Sequence, residues 1–183
     1  MTRTLASLAL LATLTPLAGF AEEARGPVLL TVVGGTEANR GAVDPDRDVL
    51  MAVREIAFDA AFALTLADLR ALDQVRVTAN AASFEGAVEA SGASLDAVLA
   101  AAGVPTDATI TVSALDGYEA EITPEERAAQ TWVVAHEVDG VPLASGGRGP
   151  LWVLPDTSGV AVEEGADANW VWAAYLIVAG DAP

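Results

Sequence analysis

Short apolar runs, each closed by glycine, proline or a polar turn, constrain this chain more than any other feature of its sequence. Val28–Val33 (VLLTVV) stops at Gly34-Gly35, Leu151–Leu154 stands between two prolines, and Trp132–Val138 stops at Asp139-Gly140. Runs of this length, rich in β-branched and aromatic residues, read as strands. Further strands are expected over Val75–Thr78, Thr109–Ser113 and Tyr118–Ile122, the last two joined by an Asp116-Gly117 hairpin turn, with an extended stretch at Ile56–Ala61. Trp170–Val178 is apolar on both faces and is expected to be one continuous, central strand.

Helical signals fall singly between these runs. Asp48 is placed to cap a helix through Arg54. Thr65-Leu-Ala-Asp68 is a capping-box variant opening a helix over Leu66–Leu72, and Thr123-Pro-Glu-Glu126 opens another with proline at its first position. Ser94 precedes Leu95, Val98, Leu99 and Ala102, an i, i+3, i+4, i+7 face closed by Gly103. Asn80–Ser91 reads as a loop or irregular hairpin, and 159–168 as an acidic loop. Strands broken by isolated helices define an α+β fold, not a βαβ repeat.

Charge and compartment narrow the function. Nine Lys+Arg face 26 Asp+Glu, a formal net charge of −17, which repels nucleic acid and anionic lipid. Arg3, the apolar Leu5–Leu17 and the small residues around Gly19-Phe20-Ala21 read as a signal peptide over residues 1–21, cleaved after Ala21. The mature chain, 22–183, is then one exported domain, expected in the periplasm with no membrane insertion after cleavage. There is no cysteine, hence no disulfide and no thiolate ligand or nucleophile.

Familiar catalytic patterns are missing. The single histidine, His136, lies in a strand pattern, and no G-x-S-x-G elbow, P-loop or G-x-G-x-x-G following a strand accompanies it. Asp44, Asp46 and Asp48 alternate but lack the downstream glycine and glutamate of a calcium loop, so they read as turn and cap residues. Trp132, Trp152, Trp170 and Trp172 sit in strand patterns and are expected in the core. The conspicuous remaining segment is Gly146–Pro155, GGRGPLWVLP. Its Arg148 is the sole Lys or Arg after Arg127. A guanidinium on a glycine-rich loop suits a planar or anionic ligand, and equally suits a solvated hairpin.

Several stretches together resemble the sulfite-oxidase (molybdopterin-binding) fold family. Ala114–Tyr118 is similar to its ALxDY-type hairpin, Gly92–Gly103 to its "G-x-x-L-x-x-(V/L)-L-x-x-A-G" helix, Gly149–Pro155 to its "GPLxxxxP" strand, and Trp172–Val178 to its closing strand. Asn39-Arg40-Gly41-Ala-Val-Asp44 and Phe58–Phe62 resemble loops of the small exported members, some of which are periplasmic pterin-binding proteins working beside a membrane-bound cyclic-di-GMP enzyme. The resemblance implies a mixed, barrel-like β core with a few short helices. It also implies a pterin, not covalently held, as ligand, and the periplasmic domain of a membrane regulator as partner. By the same resemblance Phe84, where those members often carry tryptophan, stacks on the ring and Tyr118 flanks it or donates its hydroxyl. Arg148 and Arg40 hold the carbonyl or an anionic tail, and Asn39 and Asp116 read the amino-pyrimidine edge. Catalytic members bind molybdenum through a cysteine that this chain lacks, so a non-catalytic binding module, without molybdenum, is expected. The alternative is an interaction-only protein that kept the fold and lost the ligand, its contact made by the acidic loop or a sheet edge.

Overall fold

The computed structural model describes residues 26–81, 85–160, 163 and 165–180. The expected cleavage after Ala21 and the position of Phe84 lie outside them.

Among the described residues, twelve strands and four short helices form a mixed α+β fold. In chain order these are β1 (Val28–Val33), β2 (Arg40–Gly41), α1 (Val49–Val53), β3 (Ala60–Thr65), α2 (Leu66–Ala71), β4 (Gln74–Ala79), β5 (Val88–Ser94) and α3 (Leu95–Ala101). There follow β6 (Ile110–Ala114), β7 (Glu119–Ile122), α4 (Pro124–Ala129), β8 (Trp132–Val138), β9 (Val141–Pro142), β10 (Trp152–Pro155), β11 (Val171–Trp172) and β12 (Ala174–Ala179). The first sheet runs β2-β3-β1-β12-β6-β7; the second runs β11-β10-β8-β5-β4, with β9 paired to β8. The expected barrel-like core does not form. Both sheets stay open among the described residues, one ending at β2 and β7, the other at β11 and β4.

Side-chain alternation explains how the sheets meet. Leu30 and Val32 of β1, Ile110 and Val112 of β6 and Ile177 of β12 face Trp132 and Val134 of β8 and Val153 of β10 in one shared core. The opposite face of the first sheet carries Val33, Tyr175 and Leu176, covered by Met51 of α1 and by Phe58. The opposite face of the second carries Val133, Ala135, Trp152 and Leu154, with Trp170 packed on them. Burial on both faces is why these strands read as continuous apolar runs instead of alternating ones.

Most elements stand where the pattern puts them. Both threonine capping boxes form: Thr65 accepts from the Asp68 amide and Thr123 from the Glu126 amide, and each carboxylate reaches back to its cap amide. Asp48 and Ser94 occupy N-cap positions without a side-chain cap bond. Asp48 instead accepts from Arg40 and from the Asp44 amide, and Asp46 donates to Asp44, so these aspartates do serve turn chemistry. Two expectations need correcting. The extended stretch near Phe58 becomes a strand only from Ala60, because β3 takes its register from β1. The 80–91 segment does link a hairpin, β4 to β5, but its last four residues, Val88–Ser91, already belong to β5, held between β4 and β8 by tertiary pairing that local composition does not announce.

The last apolar run is also not one strand. Ala173 adopts φ 48°, a left-handed conformation that costs an alanine roughly 1 kcal/mol or more, and it divides β11 from β12. β11 pairs with β10 in the second sheet, while β12 lies between β1 (parallel) and β6 (antiparallel) in the first. The central position expected for this segment therefore holds for β12 alone. Among the described residues no helix is long and apolar enough to cross a membrane.

Gly92 shows how tightly β5 and β8 approach. A Cβ there would lie 2.1 Å from the Val134 carbonyl oxygen and 2.7 Å from the Ala135 Cα. Backbone cannot yield as a flexible side chain would, so Gly92→Ala is expected to destabilise the domain by about 2 kcal/mol or more. Urea unfolding of the two proteins checks this, with a lowered midpoint expected at unchanged slope.

Candidate functional site

The cis-prolyl loop ahead of β10 places Arg148 against two aromatic rings. Trp152 and Trp172 are direct cross-strand partners on β10 and β11. The Arg148 guanidinium carbon lies 4.9 Å from the Trp152 ring centroid and 5.5 Å from that of Trp172. Trp170 packs against Trp152, its centroid 6.2 Å away and its plane tilted by 58°. Each cation–π contact contributes about 0.5–2 kcal/mol, more where water is excluded. Trp152 is fully buried, whereas Trp172 is 48% exposed. Three of the four tryptophans are thus core residues as expected; Trp172 is not, because β11 is the sheet edge and its outer face is uncovered.

The β6–β7 hairpin adjoins this cluster. The Leu115 amide donates to the Ala173 carbonyl at 3.0 Å, and the Ala173 amide donates to the Arg148 carbonyl at 2.9 Å. The Tyr118 hydroxyl donates to the Ala168 carbonyl, four residues before Trp172. Leu115, Tyr118 and Trp172 are all substantially exposed, and these bonds hold the hairpin beside the residues on either side of Trp172. Asp116 shapes that hairpin: its Oδ1 accepts from the Tyr118 amide at 2.9 Å, an Asx turn, and Gly117 takes φ 98°.

Asn39 and Arg40 are placed elsewhere. They lie at β2, four strand positions from β6 in the first sheet, a separation of about 19 Å at the usual strand spacing. Asn39 continues the ladder with its side chain, donating to the Ala63 carbonyl at 2.9 Å and accepting from the Ala63 amide at 2.7 Å. Arg40 pairs with Asp48, donates to the Thr31 hydroxyl at 3.4 Å and stacks 5.1 Å from the Phe58 ring centroid. Its charge is matched within the fold. Arg148, Tyr118 and Asp116 are brought to one region; Asn39 and Arg40 are not.

Residues without a sequence signal complete the region. Arg54 donates to the carbonyls of Ala114 and Leu115 at 3.1 and 2.8 Å. Beneath it the Tyr175 hydroxyl is buried, and the Arg54 guanidinium lies beside it without completing a hydrogen bond of normal geometry. Burial, opposed by Arg54 and reinforced by Glu119, raises the Tyr175 phenol above its ordinary value. The Ser113 hydroxyl donates to Glu119 at 2.9 Å on the same side of the sheet. These residues are separated along the chain and meet only through sheet register.

Two other features were candidates. An open groove of about 600 Å³ is bounded by Gly26, Pro27, Leu66, Ala67, Arg70 and Ala71, but Arg70, its one charged side chain, reaches Glu137 at 3.4 Å. His136 is buried in β8, its Nε2 3.3 Å from the Gln74 side-chain oxygen. Gln74 spends its own amide hydrogens on the Leu69 and Leu72 carbonyls, so Nε2 carries the proton and Nδ1 is left without a hydrogen-bond partner. Among the described residues no group of three or more His, Asp or Glu side chains is arranged to hold a metal ion. No known family model matches the chain, and none of the curated proteins matches it.

Burial holds the His136 imidazole below its ordinary value of 6.5, with Arg70 acting in the same direction and Glu137 opposing. The unfolded chain therefore takes up a proton before the folded one does. This contribution to stability is complete above about pH 6.5 and is lost as pH falls through that value toward the depressed folded one. Between pH 7.5 and 5.5 the thermal midpoint of the wild type is expected to fall more than that of His136→Gln, as differential scanning calorimetry will show.

Proposed function

We propose that this protein is a non-catalytic, exported ligand-binding module that takes a pterin or similar flat heterocycle on the Trp172–Tyr118 face. It would pass that occupancy to the periplasmic domain of a membrane regulator. The observation that carries the reading is the Arg148–Trp172 stack. A half-exposed indole, stiffened from behind by a guanidinium, is a flat surface whose side-chain entropy is already spent, and it suits another flat ring. Tyr118 flanks it, and Asp116 lies at the turn that sets Tyr118. The net charge of −17 disfavours a phosphorylated ligand and favours a neutral one with a carbonyl acceptor and amino donors. The resemblance of its sequence motifs to the sulfite-oxidase fold family is in line with this reading. Phe84 keeps its proposed stacking role, to be decided by substitution, whereas Arg40 and Asn39 are better explained by the internal bonds they make.

A specific observation favours the interaction-only alternative as second reading. Val49 and Val53 of α1 are 57% and 75% exposed, and α1 reaches the same hairpin through Arg54. Apolar exposure beside an aromatic face also suits a protein contact.

Titration of residues 22–183 with biopterin and tetrahydrobiopterin separates the two. At about one hundred times Kd, linkage predicts about 2.7 kcal/mol of added stability, or roughly 5–10 °C in a chain of this size. Trp172→Ala, Arg148→Ala and Phe84→Ala variants that still fold are expected to lose the shift. An unchanged midpoint at millimolar pterin contradicts the ligand reading and leaves partner capture by the same face as the function to test.

A further inference from the structure

The Trp172–Tyr118 face is assembled from two segments, and a third element holds one of them in place. The 114–118 hairpin is gripped on one side by the bond from the Leu115 amide to the Ala173 carbonyl. On the other side Arg54 spans the Ala114 and Leu115 carbonyls with its two terminal nitrogens. Gly117 lies against the same guanidinium, where a Cβ would sit 3.1 Å from Nη2. The turn is thus shaped around an arginine that belongs to another element, sixty residues earlier in the chain.

The direction of Arg54 is itself imposed. It is the C-cap of α1, and Glu55 immediately after it takes φ 57°, a left-handed conformation that turns the chain off the helix. α1 has five residues, too few to be stable as an isolated helix. Met51, buried in one cluster with Tyr175 and Leu176, Leu50 packed on that cluster, the Asp48–Arg40 pair and the Arg54 fork join it to the sheet.

We propose that Arg54 is the positioning residue of the Trp172–Tyr118 face and couples that face to α1. This rests on the binding reading above for its ligand, though not for its geometry. Arg54 touches the backbone of the hairpin and not the exposed ring surface, so it acts by fixing where Leu115 and Tyr118 stand. Coupling between two sites is reciprocal. A ligand that orders the hairpin therefore orders α1.

The test is amide hydrogen exchange on the exported chain, as wild type, Arg54→Gln and Arg54→Lys, with and without biopterin. Without ligand, Arg54→Gln is expected to speed exchange of the Leu115 and Gly117 amides by about tenfold or more, while Val32 and Ile177 in the shared core keep wild-type rates. Arg54→Lys, which offers one ammonium in place of a fork, is expected to fall between. With biopterin, wild-type α1 amides are expected to slow, and Arg54→Gln to lose that slowing together with about tenfold in affinity. Unchanged exchange at Leu115 and Gly117, or an equal rise across both sheets, overturns the positioning role. If biopterin binds but α1 exchange does not respond, the coupling is overturned. If wild type binds no pterin, the ligand reading fails alone, and the ligand-free exchange still decides whether Arg54 sets the hairpin.

Discussion

The backbone bonds at Ala173 are the point on which this structure depends. Its amide reaches the Arg148 carbonyl and its carbonyl receives the Leu115 amide, so one residue ties the glycine-rich loop, the β6–β7 hairpin and both sheets together. The left-handed turn there sends Trp172 to the edge of the second sheet and Ala174 onward into the middle of the first. Without the turn, a strand apolar on both faces would continue in one sheet, and the edge indole would be buried or lost. The strain at this alanine is small beside the burial of Val171 on one side and Leu176 and Ile177 on the other.

From this junction follows the difference between the two aromatic partners of Arg148. Trp152 is interior because β10 is flanked by β8 and β11; Trp172 is half exposed, and among the described residues no strand pairs β11 on its far side. The guanidinium lies against both rings and so links the buried indole to the half-exposed one.

Much of the fold was legible in the sequence, and the reasons differ by element. The capping boxes at Thr65 and Thr123 and the Asp-Gly turns at 116 and 139 are local chemistry, decided by residues within four positions of each other, and these form as read. The start of β5 at Val88 and the break in the final apolar run are not legible locally because partners far along the chain fix them: β5 by β4 and β8, and Ala173 by Arg148 and Leu115. The candidate site divides in the same way. Arg148 was conspicuous as a lone cation on a glycine-rich loop. Trp172 looked like a core residue, and Arg54 and Tyr175 carried no motif, because edge position and cross-sheet proximity are properties of register. Asn39 and Arg40 had the right chemistry for recognition, yet the fold uses both as internal ties.

The claim that an edge indole backed by Arg148 is the recognition surface is tested most directly by following the four tryptophan indole N–H resonances during addition of biopterin. The account predicts a saturable shift of the Trp172 signal, with Trp132, deep in the shared core, unmoved. Saturable binding that leaves Trp172 unmoved, or no change in any indole signal at millimolar ligand, would contradict it.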